Sequence, residues 1–177
     1  MSILIVFATQ EGQTANIARF VEDEARQEGH DVTLVDTSED TTQVSFEGVD
    51  KVVLAAPVHE RRHPEHFEVF LSSQRSQLEE RRTLLLSVSL SAAFPEGLED
   101  AQDYVLEMEM RTGFKPTREA LVAGAVRASR YNYFASQVVQ HVVLRGRDFD
   151  PDAGEHEFTD WEALAAVISG FLSEQVS

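Results

Sequence analysis

At 177 residues, 42% of them hydrophobic and 26% charged, the chain has the length and composition of one globular domain, residues 1–177, with a full core. Acids outnumber bases 31 to 15, and the formal net charge of -16 argues against nucleic acid or anionic lipid as partners. Cysteine is absent, which excludes disulfides, thiolate nucleophiles and sulfur-ligated metals.

No apolar run reaches bilayer length, and the amino terminus enters a strand without a basic segment or cleavage site, so a soluble, cytoplasmic protein is expected. Lys51 and Lys115 are the only lysines, a balance also found in proteins of high-salt cytoplasms, although a mesophilic acidic protein has the same composition.

Ile3 to Phe7 is apolar throughout, which predicts a strand buried on both faces of a parallel sheet. It breaks into the loop Thr9-Gln10-Glu11-Gly12-Gln13-Thr14, which offers hydroxyls, a glycine free to take positive φ, and backbone N–H groups converging on a helix start. With no Lys or Arg, such a loop would hold a phosphate by aligned dipoles and neutral donors. It is neither a Walker loop nor a three-glycine dinucleotide fingerprint, and Thr and Gly are also ordinary choices for any strand-to-helix turn.

Thr14 to Glu28 then carry Ile17, Ala18, Val21 and Ala25 at helical spacing, ended by Gly29. His30 to Asp36 alternate as a second strand, Asp50 to Pro57 form a third, and Pro64 opens a helix with Phe67, Phe70, Leu71, Gln74 and Leu78 on its stripe. Thr83 to Leu90 read as a fourth strand, Leu98, Ala101, Val105 and Met108 as the inner face of a helix released at Gly113, and Ala120 to Val126 as a fifth strand. The last helix starts at Thr159-Asp160-Trp161-Glu162, with Thr159 as cap and Glu162 closing the box, and with Leu164, Ala165, Ile168 and Leu172 inward. Five strands alternating with helices predict a doubly wound α/β sandwich, and the long stretch before Thr159, about residues 127–157, reads as an insertion.

Ligands of such sheets sit beyond the carboxyl ends of the strands. Three loops meet there: Thr9 to Thr14, Pro57 to His63, and Ser89 to Phe94. A phosphate cradle beside a polar loop and a small-residue loop suits a phosphorylated planar ring.

These segments carry a family resemblance. Thr9 to Thr14 is similar to the FMN phosphate loop of flavodoxins, and Asp50 to Pro57 and Ser87 to Ala93 to their flavin loops. Phe7 to Thr14, Ser87 to Leu90, Ala123 to Arg127 with Arg130-Tyr131, and Phe158 to Glu162 together resemble the flavodoxin-type, menaquinone-dependent protoporphyrinogen IX dehydrogenases over essentially the whole chain. The resemblance implies a flavodoxin-like sheet of order 2-1-3-4-5. It also implies FMN as cofactor, a porphyrinogen as substrate in haem synthesis, and a quinone as acceptor, the flavin doing the redox chemistry. FMN contacts would come from Thr9, Gln10, Glu11, Gly12, Gln13 and Thr14, from Pro57, Val58 and His59, and from Ser89, Leu90, Ser91, Ala92 and Ala93.

Arg61, Arg62, Arg127 and Arg130 would bind the substrate's propionates or else pair with local carboxylates. His59 would move a proton near the flavin or simply pack on it. His59, His63 and His66 are read as surface-loop residues, with no metal expected, and Trp161 as a core anchor. The insertion has Phe134, Val138 and Val142 at helical spacing, for a sheet edge, a quinone or a partner, and then turns acidic; at most peripheral membrane contact is expected. A homodimer is compatible. The alternative from another class is a one-electron carrier docking a redox protein through its acidic face, and a third is a fold that has lost its flavin.

Overall fold

The computed structural model describes residues 1–10, 12–41, 44–127 and 155–175. Its element order is β1 (Ser2–Phe7), α1 (Gln13–Gln27), β2 (Asp31–Asp36), β3 (Lys51–Pro57), α2 (Glu65–Ser73), α3 (Arg75–Glu79), β4 (Arg82–Ser89), α4 (Leu98–Thr112), β5 (Arg118–Ala123), β6 (Ala125–Arg127), β7 (Glu155–Glu157) and α5 (Trp161–Ser173). The main sheet is parallel with order β2-β1-β3-β4-β5, the order implied above. Its register sets Ile5 between Leu34 and Val53, and Val53 beside Leu84.

Each continuous apolar strand feeds two cores because alternate side chains leave opposite faces. Ile3, Ile5, Val53, Leu84 and Leu86 meet α1 and α5 on one face. Leu4, Val6, Leu54 and Leu85 meet α2, α3 and α4 on the other. No helix among the described residues is long and apolar enough to cross a membrane.

The structure corrects four local expectations. The helix expected to run from Pro64 through Leu78 breaks at Gln74, whose φ of -105° and ψ of 15° leave the helical range; Pro64 caps α2 from outside it. Leu98 is 44% exposed, and α4 buries Ala101, Tyr104, Val105, Met108 and Thr112 instead.

The fifth strand stops at Ala123. Gly124 N–H still makes the last ladder bond, donating to the Ser89 carbonyl of β4 at 3.1 Å, but its carbonyl turns away and accepts from Phe158 N–H at 3.0 Å. β6 then pairs antiparallel with β7, so the described ends of the insertion stand side by side. The rest of the insertion, with Arg130, Phe134, Val138 and Val142, lies outside the described residues.

The cap of α5 is Asp160, whose Oδ1 accepts from Ala163 N–H at 3.0 Å, because the Thr159 hydroxyl is committed elsewhere. Trp161 is half-buried against Phe20, ring centroids 4.9 Å apart, and its indole N–H donates to the Glu157 carboxylate. At the far end of α5 the fully buried Lys51 donates to the carbonyls of Phe171, Leu172 and Glu174 at 2.7, 3.0 and 2.5 Å. Carbonyls at a helix end run short of intrahelical donors, so the ammonium caps the helix and neutralises its negative end.

Candidate functional site

The carboxyl ends of β1, β3 and β4 open on a cleft. Gln10, Gln13 and Thr14 line it from the first loop, Pro57, Val58 and His59 from the second, and Val88, Ser89 and Leu90 from the third. Gly124 and Ala125 complete the wall.

The first loop is shaped by Gly12, which adopts φ 93° at the start of α1. Left-handed backbone there is open to glycine at little cost, and it lets Gly12 N–H turn to Thr9 Oγ1 at 3.0 Å. The hydrogen bonds of α1 begin with Asn16 N–H to the Gly12 carbonyl at 3.1 Å, leaving the amides of Gln13, Thr14 and Ala15 without an intrahelical acceptor. Thr9 and Gly12 shape the loop from behind the cleft wall; Glu11 lies outside the described residues.

The second loop is a tight hairpin. His59 N–H donates to the Arg62 carbonyl at 2.9 Å and Arg62 N–H to the His59 carbonyl at 3.1 Å. Glu60 and Arg61 turn at φ 51° and 70°, the doubly left-handed form that usually takes Asn-Gly. Val58 N–H ties the loop to the Val88 carbonyl at 2.7 Å.

The three histidines of this region diverge. His59 is exposed in the cleft wall, and His66 reaches Thr37 Oγ1 through Nδ1 at 2.6 Å. His63, expected on the surface, is only 3% exposed and shares a 2.8 Å hydrogen bond between Nε2 and Ser87 Oγ, while its buried Nδ1 has no partner among the described residues. Burial pushes its pKa down to about 4, with Glu68 opposing and Arg111 adding to the fall, so the ring is neutral near pH 7. Among the described residues no three His, Asp or Glu side chains are grouped as a metal would require.

The arginines also separate. Arg61 lies over the Tyr104 ring at 5.7 Å, and Arg62 turns to Glu68 at 3.6 Å, where Arg111 makes a two-pronged pair at 2.9 Å on each oxygen. Arg127 stands opposite Glu155 in the β6–β7 register.

In the third loop Ser89 Oγ accepts from Ala92 N–H at 3.2 Å and starts a short helical turn over Ser91–Ala93. Ser89 and Leu90 face the cleft, Ala92 lines an adjoining groove with Ala163 and Val167, and Ala93 is buried.

Sequence reasoning reads Val88, Gly124 and Ala125, which lie in segments that carry the resemblance, as strand residues and does not name them as contacts, although all three line the cleft. It also missed what Thr159 does. That hydroxyl donates to the Ala123 carbonyl at 2.6 Å and accepts from Gln13 Nε2 at 2.9 Å, joining the start of α1 to the end of β5.

Comparison with known proteins gives a consistent picture. The family model described as Flavodoxin domain matches residues 4–151. Protoporphyrinogen IX dehydrogenase [quinone] of Escherichia coli strain K12 is 28% identical over 168 residues, 93% of this chain and 91% of the relative. Among solved structures, oxidised Flavodoxin 1 from Bacillus cereus superposes with a TM-score of 0.57 at 16% identity, covering 99% of each chain. A flavodoxin from the domain Archaea gives 0.53 at 11% identity, covering 98% of this chain and 100% of the other. The structural matches speak for the fold.

Proposed function

This chain is a member of the flavodoxin domain family, and from that premise we propose that it is an FMN-dependent oxidoreductase of porphyrinogens with a quinone as electron acceptor. The observation that carries the reading is the three-loop cleft at the ends of β1, β3 and β4, with the mouth of α1 at one end. The match, over 93% of this chain, to a protein named protoporphyrinogen IX dehydrogenase [quinone] supports the choice of substrate and acceptor.

The residues present fit the cofactor. The first-turn amides of α1, which lack an intrahelical acceptor, and the Thr14 hydroxyl suit a phosphate, and among the described lining residues none is Lys or Arg, so neutral donors would hold it. Val58, His59, Ser89 and Leu90 would flank the ring. When bound, FMN supplies reversible uptake of hydrogen from the substrate.

The protein's own part is binding and proton handling. The pinned hairpin holds His59 in the cleft wall, where its imidazole can take a proton leaving the porphyrinogen. Arg61 is exposed beside it, and with Arg127 and Arg130 it would meet propionates; Arg62 is occupied by Glu68.

A second reading, a one-electron carrier, is favoured by the net charge of -16, which would dock a basic reductase. One preparation separates the two. Purified protein should be yellow, and anaerobic protoporphyrinogen with menaquinone should yield fluorescent porphyrin faster than the protein-free blank. A rate equal to the blank removes the dehydrogenase reading, and salt-sensitive exchange with a basic reductase then selects the carrier.

A further inference from the structure

Thr159 sits where a helix cap was expected, yet it caps nothing. Its hydroxyl has one proton, and that proton goes to the Ala123 carbonyl at 2.6 Å. Towards Gln13 it therefore acts only as an acceptor, and the 2.9 Å contact must be donated by the Gln13 amide nitrogen. This fixes which way the amide is turned. Gln13 Oε1 is then directed to Asn16 Nδ2, 3.3 Å away, within α1.

Gln13 is only 6% exposed, and it is the first residue of α1 and part of the cleft wall. The ties continue across the cleft floor: Ala123 precedes Gly124, whose N–H reaches the Ser89 carbonyl at 3.1 Å. One hydroxyl thus links the first loop, the end of β5 and the strand that carries the third loop.

We infer that Thr159 is a positioning residue for the phosphate end of the cleft, holding Gln13 aside so that the first-turn amides of α1 stay open to a phosphate monoester. The inference rests on the flavin reading of the cleft. Without the hydroxyl, the Gln13 amide loses its acceptor in a buried place and turns into the cleft, where it competes with the ligand for the same space.

The test compares FMN with riboflavin, which lacks the phosphate, on the full-length chain freed of flavin. Thr159→Val should weaken FMN binding roughly tenfold, about the loss of one buried hydrogen bond, with riboflavin affinity unchanged. Thr159→Ser should restore it. In a Gln13→Ala background Thr159→Val should have no further effect, since the hydroxyl acts through Gln13. Amide hydrogen exchange at residues 13–15 should quicken in Thr159→Val and not in Thr159→Ser.

Equal losses for both flavins, an unchanged FMN affinity, or additive losses in the double variant would each overturn the inference. Should Thr159→Val fail to fold, the Ser and Gln13→Ala variants decide: both should bind FMN as wild type does, Ser because it keeps the hydroxyl and Gln13→Ala because it removes the competing amide, and a roughly tenfold loss in either overturns it. A wild-type chain that takes up neither flavin overturns the flavin reading and the phosphate role together. Unchanged exchange in Thr159→Val, with wild-type flavin binding intact, overturns the brace alone.

Discussion

His63 and Ser87 are joined by a 2.8 Å hydrogen bond inside the protein, two residues along β4 from the serine that enters the cleft. The pair bolts the second loop to the sheet, and its imidazole resists protonation because burial removes water from it. The folded pKa of about 4 lies below the ordinary 6.5, so the unfolded chain binds the proton more readily between those values. Stability gained from this site is therefore complete above about pH 6.5 and drains away as pH falls towards 4, by up to roughly 3 kcal/mol at 1.36 kcal/mol per unit. His63→Gln should abolish that dependence, as read from urea midpoints between pH 4 and 7.

Glu109 on α4 and Glu119 on β5 produce the opposite slope. Among the described residues neither Oε1, both buried, has a hydrogen-bond donor; Gln102 Nε2 reaches Glu119 Oε2 at 3.3 Å, and Lys115 offers the opposing charge. Burial first, then the hydrogen bond and charge of Glu119, raise the Glu109 pKa to about 7, so Glu109 holds its proton well above the usual carboxylate range. The folded chain holds this proton more tightly than the unfolded one, and stability falls as pH rises from 4.5 through about 7. Glu109→Gln should be more stable than wild type at pH 8 and little changed at pH 4.5. Because the His63 and Glu109 windows overlap with opposite signs, the wild type should show a shallow profile that each single variant tilts in a different direction.

Lys51 is worth more as a hydrogen-bond donor than as a charge. Burial lowers its pKa while Glu174 opposes the fall, and truncation would strip a donor from each of its three carbonyl partners. Lys51→Met, which keeps the length but not the donors, should cost about 2–4 kcal/mol in chemical denaturation. A loss under about 0.5 kcal/mol would mean that water reaches those carbonyls.

Glu60 carries a backbone cost of the second loop. At φ 51° a side chain with a Cβ is held at about 1–2 kcal/mol above a right-handed conformation. Glu60→Gly should raise thermal stability by roughly 1 kcal/mol. Since the hairpin is also held by its own two backbone bonds, His59 should stay in place, and flavin affinity should change less than about twofold.

Much of this fold was legible in the chain because parallel strands buried on both faces leave an unmistakable apolar run, as Ile3 to Phe7 and Val52 to Ala56 do. The three loops were legible for the same reason: each begins where such a run turns polar. What the pattern hid was decided by distant partners. Thr159 reads as a cap until Ala123 and Gln13, 36 and 146 residues away in sequence, claim its oxygen. Ala120 to Val126 reads as one strand until Phe158 claims the Gly124 carbonyl. His63 reads as surface because polar neighbours surround it in sequence, whereas Ser87 receives it in space. Glu60-Arg61 hides its turn because neither residue is one that left-handed backbone normally selects.

The antiparallel pairing of β6 with β7 closes the base of the insertion outside the main sheet. Arg127 and Glu155 face each other across one ladder rung, so the chain departs and returns through a doorway about 5 Å wide. A two-residue Asn-Gly link could close that doorway without cutting the five-stranded sheet. Shortening or replacing the chain between those two residues would therefore leave the scaffold's own strand order untouched.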